Sequence, residues 1–156
     1  MSVVGTRPST PDPQLAGQRA VVVGLAREGT DLVRYLVGAG AAVTATDRRP
    51  AAELAEQVAA LADLPLRYAL GGHPLDLLDA CDVLYLSPGV PPELPLALEA
   101  RRRGIPLGSA TELFLARCPG PIVGITGSSG KTTTTALTGE VFRQAGREVQ
   151  IGRAHV

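Results

Sequence analysis

The run Ala20-Val21-Val22-Val23-Gly24 restricts the fold more than any other stretch of this chain. An unbroken apolar, β-branched run reads as a buried strand, and the glycine that follows it reads as a turn. Leu32, Val33, Leu36 and Val37 then recur on one helical face, Gly38 and Gly40 end that helix, and Ala42 to Asp47 forms a second strand finishing in an acid. Strand, crossover helix and strand make a βαβ unit, whose connection demands a parallel sheet and points to the nucleotide-binding α/β folds.

The same rhythm continues. The pattern predicts a helix over 51–61, a short strand over 66–70, a Gly71-Gly72-His73-Pro74 loop, a short helix over 75–79 and a buried strand over 82–86. A helix over 94–103 follows, then a brief strand at 105–108 and a short helix at 111–116. Cys118-Pro119-Gly120-Pro121 breaks the sequence of elements and marks a domain boundary. Beyond it we expect a strand over 122–125, a glycine loop, and a helix reaching about Gly146. The expected organisation is a disordered lead-in over 1–16, a first domain over 17–118, and the opening strand-loop-helix of a second over 119–150.

Composition removes several classes of function. The 156 residues carry 15 basic and 15 acidic side chains, and with three Tyr, two Phe and no Trp the chain has neither the charge nor the stacking surface of a nucleic-acid binder. Arg101, Arg102 and Arg103 sit in the last turn of a helix and read as capping charges. No stretch approaches the ~20 apolar residues of a membrane helix, and the Pro/Ser/Thr-rich N-terminus lacks the apolar core of a signal peptide. Cys81 and Cys118 lack metal-ligand spacing, so we expect reduced thiols in a cytoplasmic protein, with a monomer as the expected state. His73, beside a proline, reads as a loop residue rather than a ligand.

Three loops carry chemistry. Gly24-x-Ala26-x-x-Gly29 is a dinucleotide fingerprint with its middle glycine replaced, and Asp47 stands where a ribose-binding acid belongs. Arg48 and Arg49 suit a 2′-phosphate, which leaves an NADP-dependent oxidoreductase open, beside a plain nucleotide-binding module. Ser87-Pro88-Gly89-Val90-Pro91-Pro92 follows a buried strand and is a candidate edge of a ligand crevice. The third loop is Gly127-Ser128-Ser129-Gly130-Lys131-Thr132-Thr133. Its glycines let backbone N–H groups approach phosphate oxygens, Lys131 adds a point charge, and the Thr132 hydroxyl can hold Mg²⁺. The first glycine of a standard P-loop would fall at 125, where Ile stands, so only the shorter core Gly-x-x-Gly-Lys-Thr is matched. A lysine in a helix's first turn and four consecutive threonines conflict with helix preferences, and such conflicts mark function.

In this order and spacing the motifs resemble the amino-terminal part of the Mur ligase family, in its D-glutamate-adding branch, over about Ala20 to Gln150. The set comprises Val-Val-Gly-Leu near the start, Asp47-Arg48-Arg49, Ser87-Pro88-Gly89-Val90-Pro91, Thr111-Glu112-Leu113-Phe114 and Ile125 to Thr134. The resemblance implies a Rossmann-like domain that binds UDP-N-acetylmuramoyl-L-alanine, followed by a P-loop ATPase domain. It implies ATP-dependent amide formation: the substrate carboxylate is phosphorylated to an acyl phosphate, which the amine of D-glutamate attacks. Arg27, Glu28, Asp47, Arg48, Arg49 and Gly89 would line the UDP site. Gly127, Ser128, Ser129, Gly130, Lys131, Thr132 and Thr133 would hold ATP, with Lys131 and Thr132 catalytic and Thr132 a partial Mg²⁺ ligand. The family's loop usually reads Thr-Gly-Thr-Asn-Gly-Lys, so Ser128-Ser129 forgoes the Asn amide. The family's remaining Mg²⁺ ligands and amino-acid site have no counterpart in these residues, so an incomplete chain without ligase turnover is expected. Residues 151–156 depart from the Gly-Asn-Ile-Gly expected there, and one codon choice for them reproduces a common sequencing adapter, so we expect read-through.

Overall fold

The computed structural model describes residues 12–152. The chain divides into two compact units, Met1–Leu113 and Phe114–Val156. The division falls inside a helix, a few residues before the Pro/Gly cluster.

The first unit is a five-stranded, all-parallel sheet. Its strands are β1 (Arg19–Val23), β2 (Ala42–Asp47), β3 (Arg67–Leu70), β4 (Val83–Leu86) and β5 (Leu107–Gly108), in the order β3-β2-β1-β4-β5. The chain steps outward from β1 to β3, then returns to lay β4 against the other side of β1, with Val23 in register with both Thr46 and Leu86. That reversal is a topological switch point, the place where open α/β sheets bind their ligands.

Strand β1 is central, and its alternation divides the core. Ala20 and Val22 join α1 (Arg27–Gly38) and the segment after β2 on one face, through Leu32, Val33, Leu36, Leu54 and Leu61. Val21 and Val23 join Leu78, Leu96, Ala97 and Ala100 on the other, from the turn Leu75–Ala80 and α3 (Pro95–Arg102). A strand covered on both faces must be apolar at every position, which is why β1 reads as a continuous run. The helix predicted over 51–61 begins as a 3₁₀ turn, Ala51–Leu54, and continues as α2 (Ala55–Ala60); the one predicted over 75–79 is wholly 3₁₀. Pro50 and Pro74 precede these two segments in extended backbone and set sharp entries, which short 3₁₀ turns accommodate. Helix α4 (Ala110–Arg117) starts on a Ser109/Glu112 pair: Ser109 Oγ accepts the Glu112 N–H and contacts the Glu112 carboxylate, both at 3.1 Å.

Of the stretch assigned to a disordered lead-in, residues 1–11 lie outside the described residues. Residues 12–17 form a turn whose Asp12 and Gly17 N–H groups donate to the Ala39 and Gly40 carbonyls, and Leu15 is buried in the core. At the other end, the read-through assignment over 151–156 falls largely on residues 153–156, also outside the described residues.

In the second unit, α5 (Lys131–Gln144) follows the glycine loop. The strand expected over 122–125 is a correction: among the described residues these four form no strand. A strand exists only as a partner in a ladder, so an apolar sequence alone does not make one. Ile122, Val123, Leu137, Val141 and Phe142 are exposed.

Candidate functional site

Three loops meet at the switch point. Gly24 turns the chain out of β1 at φ +91°, and a Cβ there would come within 3.1–3.2 Å of Val90 and Ser87. Gly29, in the first turn of α1, is more tightly held: a Cβ would lie 1.9 Å from the Gly24 carbonyl oxygen and 2.6 Å from Ser87 Oγ. Ser87, buried after β4, donates from Oγ to that same Gly24 carbonyl at 2.8 Å. One carbonyl therefore locks the β1 turn, the start of α1 and the β4 turn together. The first and third fingerprint glycines do what their motif requires, turn formation and close helix-strand packing.

Ala26, in the middle glycine's place, is the N-cap residue of α1 at φ −74°, a conformation any residue adopts, and it is exposed. Its side chain makes no cap hydrogen bond, and the first N–H groups of a helix have no acceptor within the helix itself. Arg27 is exposed in that turn, Glu28 half-buried beside it, and Gly89 is exposed at φ +85° across the crevice with open space around it.

Asp47 ends β2 nearly buried, and its carboxylate is fully engaged. Oδ2 accepts the Leu25 N–H at 2.8 Å and Arg49 Nη2 at 2.9 Å; Oδ1 accepts the Arg49 N–H at 3.0 Å and Arg49 Nε at 3.1 Å. Burial opposes the charge, but the Arg49 guanidinium and the two backbone donors outweigh it and hold the carboxyl far below the usual range. Asp47 is thus a strut between the β1 turn and Arg49. Arg49 is half-buried against it, whereas Arg48 is exposed.

Sequence reasoning passed over Thr46, and it read His73 as a loop residue rather than a ligand. Thr46 is wholly buried and its Oγ1 donates to the Gly72 carbonyl at 2.9 Å, while the loop after β3 returns Gly71 and Gly72 N–H groups to the Asp47 carbonyl. His73 lies in that loop with Nδ1 3.0 Å from Thr46 Oγ1. A threonine at the end of a strand, next to an acid, is the local signal that would have raised Thr46.

In the second unit, Gly130 caps α5 in the left-handed region at φ +75°, with no side-chain cap. The N–H groups of Lys131, Thr132 and Thr133 therefore point out of the helix start, and Lys131 Nζ folds back to donate to the Gly127 carbonyl. Residues 126–133 are exposed, Ser128, Ser129 and Thr132 among them. Outward amides, a helix N-terminus and a lysine fit an oligophosphate. Among the described residues no group of three or more His, Cys, Asp or Glu side chains could hold a metal ion. None of their helices is long and apolar enough to cross a membrane.

The family model described as Mur ligase MurD-like, N-terminal domain, matches residues 18–109, which is the sheet and all three crevice loops. The chain belongs to this Mur ligase family. Its curated relatives include UDP-N-acetylmuramoylalanine–D-glutamate ligases from Symbiobacterium thermophilum, 45% identical over 86% of this chain and 30% of that protein, and from Geobacter metallireducens, 43% identical over 89% and 31%. A solved pseudomurein peptide ligase type C from Methanothermus fervidus is 26% identical, with a TM-score of 0.53 over 83% of this chain and 27% of its own. The chain thus spans under a third of these relatives' length.

Proposed function

We propose that this chain supplies the UDP-substrate domain and the opening of the ATPase domain of a cytoplasmic UDP-N-acetylmuramoyl-L-alanine:D-glutamate ligase of peptidoglycan precursor synthesis. The observation that carries the reading is a coincidence: the family match covers the same residues that build the switch-point crevice, where an α/β sheet binds its ligand. The diphosphate takes the first-turn amides of α1 with Arg27 and Glu28 at their rim, Gly89 admits it from the β4 side, and Arg48 and Arg49 flank the nucleoside, with Asp47 holding Arg49 in place.

The loop from Gly127 to Thr133 takes the ATP phosphates, with Ser128 and Ser129 hydroxyls in the place of the family's Thr-Asn pair. Lys131 leaves the Gly127 carbonyl to reach the phosphates, and the Thr132 hydroxyl is one ligand of the accompanying Mg²⁺. When bound, ATP supplies the phosphoryl group that activates the substrate carboxylate for D-glutamate. Ligase turnover is proposed for the protein of the relatives' length; the 156-residue chain alone binds nucleotide and does not turn over.

The oxidoreductase reading is weaker on chemical grounds, since Arg49, one of the two arginines that would take a 2′-phosphate, is already committed to Asp47. Calorimetric titration of the chain with UDP, UDP-N-acetylmuramoyl-L-alanine and NADPH separates the two. We expect heat from the uridine ligands; tight NADPH binding with none for UDP overturns the assignment. For the relative-length protein, ADP release should require both the UDP-sugar and D-glutamate.

A further inference from the structure

His73 is absorbed by none of this, yet it sits at the edge that the nucleotide occupies. The Thr46 hydroxyl has one proton, and it goes to the Gly72 carbonyl at 2.9 Å. At its 3.0 Å contact with His73 Nδ1 the hydroxyl oxygen must therefore accept, so Nδ1 carries the ring proton and Nε2 holds a lone pair. No partner for Nε2 occurs among the described residues. Burial lowers the His73 pKa against the opposing pull of Asp47, so the ring is neutral near neutral pH and that lone pair is available.

The second strand of the argument is Asp47. A ribose hydroxyl or a uracil imide N–H is a donor and needs an acceptor, and the acid expected to provide one has both oxygens doubly occupied by protein donors. Beside it, at the carboxyl end of the neighbouring strand, His73 Nε2 is a side-chain acceptor still open. We propose that His73 is a nucleoside-contacting residue of the uridine nucleotide site, accepting through Nε2 a hydrogen bond from the ribose or the base imide. This rests on the UDP-site reading above. It gives the Thr46 hydroxyl a purpose too, fixing which ring nitrogen is presented.

The test is titration of the 156-residue chain with UDP, comparing wild type with His73→Ala, His73→Asn and His73→Gln. Asparagine keeps a donor where Nδ1 stands and can still serve Thr46, but has nothing at the Nε2 position; glutamine can place its amide oxygen there. A ligand contact predicts that His73→Ala and His73→Asn weaken UDP by about three- to tenfold, the loss of one neutral hydrogen bond, while His73→Gln weakens it less. The Nε2 resonance in a ring ¹⁵N spectrum should also shift on addition of UDP, and in the free protein it should report the Nδ1–H tautomer.

Wild-type binding with His73→Asn just as tight overturns the contact and leaves only a structural pairing with Thr46, while the UDP site itself stands. No UDP binding by wild type overturns the site reading and the contact with it. The donor follows from analogues: if the His73→Asn penalty disappears with CDP, it is the base imide; if it disappears with 2′,3′-dideoxy-UDP, it is the ribose. A penalty undiminished with both analogues overturns the assignment.

Discussion

Gly29→Ala separates the packing account of this site from a local account of its sequence. Gly29 lies inside α1 without a positive φ, so helix propensity alone predicts that alanine stabilises the protein by about 1 kcal/mol. Packing predicts the reverse sign. The new Cβ would start 1.9 Å from the Gly24 carbonyl oxygen and must retreat to the 3.4 Å at which ordinary contact begins. The obstacle is backbone, and Gly24 is itself held by its N–H bond to the Thr46 carbonyl at 2.8 Å, so no flexible side chain can yield. Overpacking costs of about 3 kcal/mol and the loss of the Ser87–Gly24 hydrogen bond, about 1 kcal/mol, set against the propensity gain, leave the variant about 3 kcal/mol less stable.

The assay can be confined to the first unit. Tyr35, Tyr68 and Tyr85 all lie in it and the chain has no Trp, so tyrosine emission reports its unfolding alone. With urea m-values of about 1–3 kcal/mol/M, the midpoint should fall by at least about 1 M. A midpoint unchanged or raised would refute the claim that the Gly24 carbonyl, α1 and Ser87 form one locked junction.

The remaining predictions use the same emission unless stated. Ser87→Ala, which removes the Ser87 donor to the Gly24 carbonyl, should cost about 1–2 kcal/mol; no change in midpoint would mean that the carbonyl finds another donor. Leu96→Ala opens a cavity in the face under α3 and should cost about 2–5 kcal/mol, read as a lower urea midpoint. Lys131→Ala, at an exposed side chain, should leave the circular dichroism spectrum unchanged while weakening ATP binding at least about tenfold; equal affinity in the two proteins would remove Lys131 from the phosphate site.

Legibility in the sequence follows the range of the interaction. Strand β1 was legible because burial on both faces writes an apolar residue at every position, and Gly24 and Gly29 because the turn they make is local. The Thr46–His73 pair was not, since the two residues are 27 apart in sequence and meet only once β3 has paired with β2. Asp47 was legible as an important acid, but its protein partners were not all so: Leu25, 22 residues earlier, donates to it along with Arg49, two residues later. Residues 122–125 show the opposite failure. Their composition is that of a strand, and composition carries no information about whether a partner lies alongside.

The role given to Asp47 has a pH signature. Its folded-state pKa is depressed, so the carboxylate's contribution is fully present above the unfolded-state value of about 3.9 and is lost as pH falls through the lower folded-state pKa. Asp47→Asn should destabilise the first unit by about 1–3 kcal/mol at neutral pH, since the amide cannot accept all four donors as a charge. The gap between wild type and variant should stay constant from pH 7 down to about pH 5 and close only below about pH 4, because protonating the wild type then costs it the same interactions the variant never had. If Asp47 were instead a ligand-facing acid loosely held by the protein, Asp47→Asn would weaken UDP binding with little effect on the urea midpoint at any pH. That result would return the carboxylate to the nucleotide and remove the reason for seeking its acceptor at His73.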